Sequence, residues 1–133
     1  MKYFISGHRD LTIEEFEEHY IPIIDKITTE DDSAEFLVGD WEGCDLMAVE
    51  YLSLLPSIAS DITIYYVEKV KMRPFGDVVY DYKNIHFKEK STYDECDSAM
   101  TLDSDFDIAW IREGKEDSHT AKNIKRRYEN RIS

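Results

Sequence analysis

The chain has 133 residues, with 29 acidic against 16 basic side chains and a formal net charge of −13. Hydrophobic residues at 42% and aromatics at 13% exclude a disordered chain, and the length suits a single domain over 1–133 with a real core. So negative a field repels polyanions, which argues against nucleic-acid or anionic-membrane partners, while a local cluster of N–H donors can still accept a small phosphate.

In chain order, Lys2–Ser6 reads as a first buried strand, stopped by Gly7. Thr12 with Glu15 forms a capping box for a helix whose apolar stripe is Ile13, Phe16, Tyr20, Ile23, Ile24 and Ile27. Glu14, Glu15, Glu17 and Glu18 favour its positive end, and Pro22 predicts a kink or break. Glu35–Gly39 is a second strand, and Asp40-Trp41-Glu42-Gly43 turns the chain into a helix over Cys44–Leu55. Met47, Ala48, Tyr51, Leu52 and Leu55 point inward there, and Pro56 stops the helix.

Asp61–Val67, dense in β-branched and aromatic residues, is a third strand. Within Lys69–Lys90, Val78-Val79-Tyr80 and Ile85-His86-Phe87 fit either a small hairpin or a loop laid over a pocket. Thr92 with Glu95 marks another N-cap, for a helix ending near Leu102. Phe106–Ile111 is an apolar run of the kind found in central parallel strands. A helix over Thr120–Ile132 closes the chain, with Ala121, Ile124, Tyr128 and Ile132 on one face and Lys122, Lys125, Arg126, Arg127 and Arg131 on the other.

Strands alternating with helices at this spacing imply βαβ units. The expected fold is α/β, a three-layer Rossmann-like sandwich with a mainly parallel sheet of about five strands. In such a sheet the loops after the first and last strands meet at the switch point, where ligands bind. Those loops are Ser6-Gly7-His8-Arg9-Asp10 and Gly114-Lys115-Glu116-Asp117-Ser118-His119-Thr120.

Ser6 and Gly7 let an anion approach the backbone and Arg9 offers a bidentate partner, although Gly7 could simply end a strand and Arg9 stand in solvent. Gly39 and Gly43 bracket a tight turn. Asp45, in the helix turn that follows, either accepts from ribose hydroxyls or complements the helix dipole. Ser118 and Thr120 stand at a helix N-terminus, where hydroxyls and free N–H groups bind anions and also serve as ordinary caps. The candidate ligand-binding residues are therefore Ser6, Gly7, His8, Arg9, Gly39, Asp40, Gly43, Asp45, Ser118, His119, Thr120 and Asn123.

Other chemistries lack their signatures. His8, His19, His86 and His119 have no metal-ligand spacing, and Cys44 and Cys96 form no CxxC pair, so neither a metal nor a disulfide framework is expected. The sequence has no G-x-G-x-x-G for a dinucleotide cofactor and no G-x-S-x-G elbow. Tyr3-Phe4-Ile5 is too short for a signal-peptide core and no apolar run suits a membrane span, so a cytoplasmic location is expected. The basic face of the last helix lacks an aromatic stacking platform and reads as solvated.

Together the motifs resemble the SLOG superfamily, named for DNA-processing proteins and the Lonely Guy phosphoribohydrolases. Phe4-Ile5-Ser6-Gly7-His8-Arg9-Asp10 looks like its opening strand and G-[S/H]-R-D loop, and Val38 through Glu50 like its G-x-x-x-G-x-D-x-x-A segment. Ala99-Met100-Thr101, Ser104 through Ala109 and Ser118 through Ile124 look like its closing strand and S-G-T-x-x-N/E segment. The resemblance implies a Rossmann-like domain, often a homodimer, that binds a nucleotide or nucleotide-derived small molecule.

Some members cleave N-glycosidic bonds of nucleoside monophosphates, and others only sense a ligand. Two positions depart from the enzymatic pattern. Asn123 replaces a glutamate, and His119 replaces the glycine before the threonine. An amide cannot ionise, so the leading expectation is a sensor or sequestering domain for a ribose phosphate or ADP-ribose type ligand. An N-glycosidase or deoxyribosyltransferase would need Asp45, Glu50 or Asp107 as its carboxylate. A protein-interaction module with a degenerate pocket is the third reading, motivated by the bulk of His119 and the acidic surface.

Overall fold

The computed structural model describes residues 1–55, 61–67 and 85–132, the last three of these (130–132) in backbone only. Pro56 and Val78-Val79-Tyr80 lie outside the described residues, as do the side chains of Arg131 and Ile132. Ten elements follow in order: β1 (Lys2–Ser6), α1 (Ile13–His19), α2 (Ile21–Glu30), β2 (Glu35–Val38), α3 (Cys44–Leu54), β3 (Asp61–Val67), β4 (Ile85–Lys90), α4 (Tyr93–Asp103), β5 (Phe106–Ala109) and α5 (His119–Ile132). The strands form one all-parallel sheet in the order β4-β3-β2-β1-β5. The fold is a three-layer, Rossmann-like α/β sandwich.

Side-chain alternation divides the sheet into two apolar faces. Ile5, Phe36, Val38, Ile62, Ile64 and Ile108 face one layer, where Phe16, Tyr20 and Ile24 of the α1–α2 segment and Cys44, Ala48, Val49 and Leu52 of α3 cover them. Phe4, Leu37, Tyr65 and Val67 face the other, covered by Cys96 and Met100 of α4. Parallel strands need cover on both sides, and the alternation of strand and helix supplies it.

Local chemistry sets the boundaries. Thr12 Oγ1 accepts the Glu15 N–H at 3.1 Å while Glu15 Oε1 accepts the Thr12 N–H at 3.0 Å, completing the expected capping box. Pro22 does break the helix, with Tyr20 separating α1 from α2. Thr92 caps α4 by accepting the Glu95 N–H at 3.1 Å.

Four expectations are corrected. Phe106–Ala109 is an edge strand rather than a central one, because the chain returns from β4 to the far side of β1; Phe106 is accordingly 43% exposed. Ile85-His86-Phe87 belongs to β4, which runs parallel to β3 over Ile62–Val67, so it is a strand of the main sheet and not a loop laid over a pocket. Ile13 and Ile23 lie outside the stripe: the break at Tyr20 rotates α2 relative to α1, leaving Phe16, Tyr20 and Ile24 as the buried set. On α5 the inward face is polar. Thr120 and Asn123 are buried, and the Arg127 side chain is nearly so, while Ile124 and Tyr128 face out. The reason lies in β5, whose Asp107 turns toward this layer and pairs with Arg127 Nε at 2.8 Å.

Candidate functional site

Because β1 is flanked by β2 on one side and β5 on the other, the loops leaving β1 and β5 part at this point and leave a crevice between them. Three contacts fix its walls. The buried Tyr20 hydroxyl donates to the Ser6 carbonyl at 2.8 Å and accepts the Trp110 N–H at 3.0 Å, joining the ends of β1 and β5. His8 Nε2 accepts the Arg112 N–H at 2.9 Å. The Arg112 guanidinium in turn reaches Glu15 at 2.6 Å and Asp10 at 3.1 Å.

The ionic partners behave accordingly. The guanidinium holds the Glu15 carboxyl down at about 2 and lowers that of Asp10. Burial, then Arg112, lowers the affinity of His8 for a second proton, consistent with an acceptor nitrogen facing an N–H. Trp110 stacks on His19, with ring centroids 4.0 Å apart, and closes the outer side of this junction.

The third wall is the turn from β2 into α3. Gly43 has φ of 78°, and a Cβ there would stand 2.2 Å from the Arg9 carbonyl oxygen, so only glycine lets the two loops meet. The His8 carbonyl accepts from both Leu11 and Cys44 N–H at 3.2 Å, pinning the β1 loop to the first turn of α3. Gly7 is equally tight, since a Cβ would lie 2.5 Å from Cys44 Sγ and the Tyr20 hydroxyl.

These walls enclose a cavity of about 230 Å³. Ser6, Gly7 and Arg9 come from the first loop, Gly39, Trp41 and Asp45 from the second, and His119, Thr120 and Asn123 from the start of α5. Eight of the twelve residues expected from sequence line it. The other four lie behind its walls: His8 binds the Arg112 amide, Asp40 is buried in the turn, Gly43 makes the loop crossing, and Ser118 caps α5 by accepting the Ala121 N–H at 3.3 Å. Among the enzyme candidates, Glu50 is exposed and Asp107 is paired with Arg127; neither lines the cavity.

Sequence reasoning missed the fourth wall. Tyr93, Cys96, Asp97 and Met100 of α4 line the cavity together with Phe4. A usable signal was present: the Thr92–Glu95 cap places the start of α4, and in a parallel sheet every such start lies at the same edge.

Chemically the cavity is rich in donors. Ser6 is 6% exposed, and its Oγ has no hydrogen-bond partner among the described residues. Asn123 Oδ1 accepts from Arg126 Nη1 at 2.8 Å, which leaves its Nδ2 to donate elsewhere. At the rim, Arg9 lies 4.1 Å above the Trp41 ring and 3.3 Å from Glu42, and Trp41 leans on Tyr93 with centroids 4.7 Å apart. His119 lines the mouth of the cavity with a largely exposed side chain and meets Asp97 at 4.0 Å.

Two carboxyl groups share this space. Asp45 Oδ2 accepts the Trp41 N–H at 3.3 Å, and burial, with Asp97 and Asp40 nearby, pushes its carboxyl up to about 8. Burial likewise raises Asp97 to about 6, against the opposing pull of Arg126 and His119. Among the described residues no group of acidic, His and Cys side chains is arranged to hold a metal ion. No helix among them is long and apolar enough to cross a membrane.

No protein-family model, curated protein or solved structure matches the chain.

Proposed function

We propose that this chain binds a nucleotide or nucleotide-derived small molecule, of ribose phosphate or ADP-ribose type, in the crevice between β1 and β5, as a sensor or sequestering protein. The observation that supports it most is the Ser6 hydroxyl, buried and unpartnered among the described residues, in the cavity lined by Gly7, Thr120 and Asn123. A buried hydroxyl without a partner is costly, and a ligand oxygen would satisfy it. α5 begins beside the cavity, where a helix N-terminus favours an anion, and Arg9 at the rim can leave an exposed carboxylate for a phosphate. The motif resemblance to the SLOG superfamily points to the same ligands.

Isothermal titration with ribose 5-phosphate, nucleoside monophosphates and ADP-ribose tests the reading. Ser6→Ala and Thr120→Ala should each weaken binding by about 1.5–3 kcal/mol, the range for hydrogen bonds to charged groups. The reading fails if no member of the panel saturates, or if both variants bind as the parent does.

The Asp45–Asp97 pair favours a second reading, cleavage or transfer at an N-glycosidic bond. Two carboxyl groups whose environments set them apart, one about 8 and one about 6, are the arrangement needed for an acid and a base. Chromatographic release of free base from a nucleoside monophosphate, lost in Asp45→Asn or Asp97→Asn, supports it; no release in the parent protein removes it.

A further inference from the structure

An anion site walled by acids presents a contradiction. Ser6, Thr120, Asn123 and Arg9 offer donors, yet Asp45 and Asp97 line the same 230 Å³. Neither carboxyl has an ion pair with lysine or arginine among the described residues; the His119 imidazole lies 4.0 Å from Asp97, and the Arg126 guanidinium acts on Asp97 from α5. Asp45 cannot turn away. Its Oδ2 is held by the Trp41 N–H and lies where a Cβ on Gly39 would approach to 2.7 Å, so the group is clamped between that turn and α3.

The groups facing the pair come from every surrounding element. Asp40 lies in the turn after β2; Cys44 of α3 and the Tyr20 hydroxyl stand behind Asp45. Asp94 and Cys96 flank Asp97 on α4, Arg126 and His119 face it from α5, and Arg9 is at the rim. Two ionised acids would cancel the charges of Arg126 and Arg9, leaving a phosphate no net attraction in the crevice.

We propose that the crevice takes up a proton together with its anionic ligand, and that the Asp45–Asp97 pair is where the proton resides. This rests on the ligand reading above and adds its regulation: affinity for a phosphorylated ligand is set by pH, and the ligand leaves as pH rises. The proton comes from solvent and converts one carboxylate to a carboxylic acid, which then serves as one more donor to a ligand oxygen. Burial already holds Asp45 neutral at pH 7, so Asp97 is the member that changes state when the anion arrives.

Titration calorimetry of the full chain with ribose 5-phosphate and with adenosine 5′-monophosphate, from pH 5.5 to 8.5, tests this. In buffers of different ionisation enthalpy at pH 7.5, the heats should report uptake of about half a proton or more per ligand bound. The affinity ratio of parent to Asp97→Asn, in which the ligand's own titration cancels, should fall with pH between 6 and 8 at a slope approaching about tenfold per unit. If the variant does not fold, the proton count on the parent decides alone. Binding with no uptake, or with a flat ratio, overturns the proton coupling and leaves the ligand reading standing. No binding of either compound at any pH overturns both.

Discussion

Replacing Asp45 by Asn should make this protein more stable at neutral pH, and the gain should grow with pH. The Asp45 carboxyl is buried in the first turn of α3, raised from 3.8 to about 8 chiefly by desolvation. Between those values the folded state holds a proton that the unfolded chain releases, so stability falls as pH rises from about 4 to about 8 and is flat above. Each unit of pH in that window costs about 1.4 kcal/mol, so from pH 5 to pH 7 the penalty grows by about 3 kcal/mol. Asparagine is isosteric, keeps an oxygen for the Trp41 N–H and does not titrate. At pH 5 the two proteins should differ by no more than about 1 kcal/mol, the order of one rearranged hydrogen bond. At pH 7 the variant should be ahead by about 2–4 kcal/mol. Urea unfolding at pH 5, 6, 7 and 8 measures the gap directly. Curves that stay parallel within about 0.5 kcal/mol would refute the argument, because a solvated or ion-paired carboxylate would behave that way.

Two further outcomes are expected. Tyr20→Phe removes the hydroxyl shared by the Ser6 carbonyl and the Trp110 N–H, stranding both; we expect a loss of about 2–4 kcal/mol in urea unfolding and faster amide exchange at Trp110, and unchanged exchange there would contradict the bridge. Glu42→Gln frees Arg9 from an ion pair whose side chains are both more than half exposed, so stability should not move measurably, while affinity for a phosphorylated ligand rises several-fold as the competing carboxylate disappears; an equal or lower affinity would argue that Arg9 takes no part.

Much of the architecture was legible because it follows from local rules. Thr12 and Thr92 announce their helices through cap chemistry that acts over three residues, and Asp61–Val67 announces a strand through β-branched density. The order of strands is a different matter. That β5 lies at an edge depends on where the chain goes after β4, and nothing in Phe106–Ala109 encodes it. The inward face of α5 misled for a related reason. Ile124 and Tyr128 are its apolar pair, but the buried positions Thr120, Asn123 and Arg127 answer to Asp107, Ser104 and the cavity, which are polar. Periodicity finds an apolar core face; it is blind to a polar one.

The site divides along the same line. Arg9 and Thr120, 111 positions apart in sequence, line one cavity because parallel strands put all their carboxyl-end loops on one edge. That inference needed only the alternation of elements, and applied consistently it also brings in the start of α4. Asp97 was invisible to motif reading, since an aspartate one turn into a helix usually complements the dipole and faces water. Here the first two turns of α4 abut the crevice, so the same residue type becomes a half-buried acid opposite Asp45. Charge count could not separate the two cases: most of the 29 acidic side chains serve solubility, and these two differ only in where the fold puts them. What distinguishes them is cost. A fold that keeps two carboxyl groups without a lysine or arginine ion pair, and a serine hydroxyl without a partner among the described residues, around one cavity spends stability there, and replacing Asp45 is the direct way to recover it.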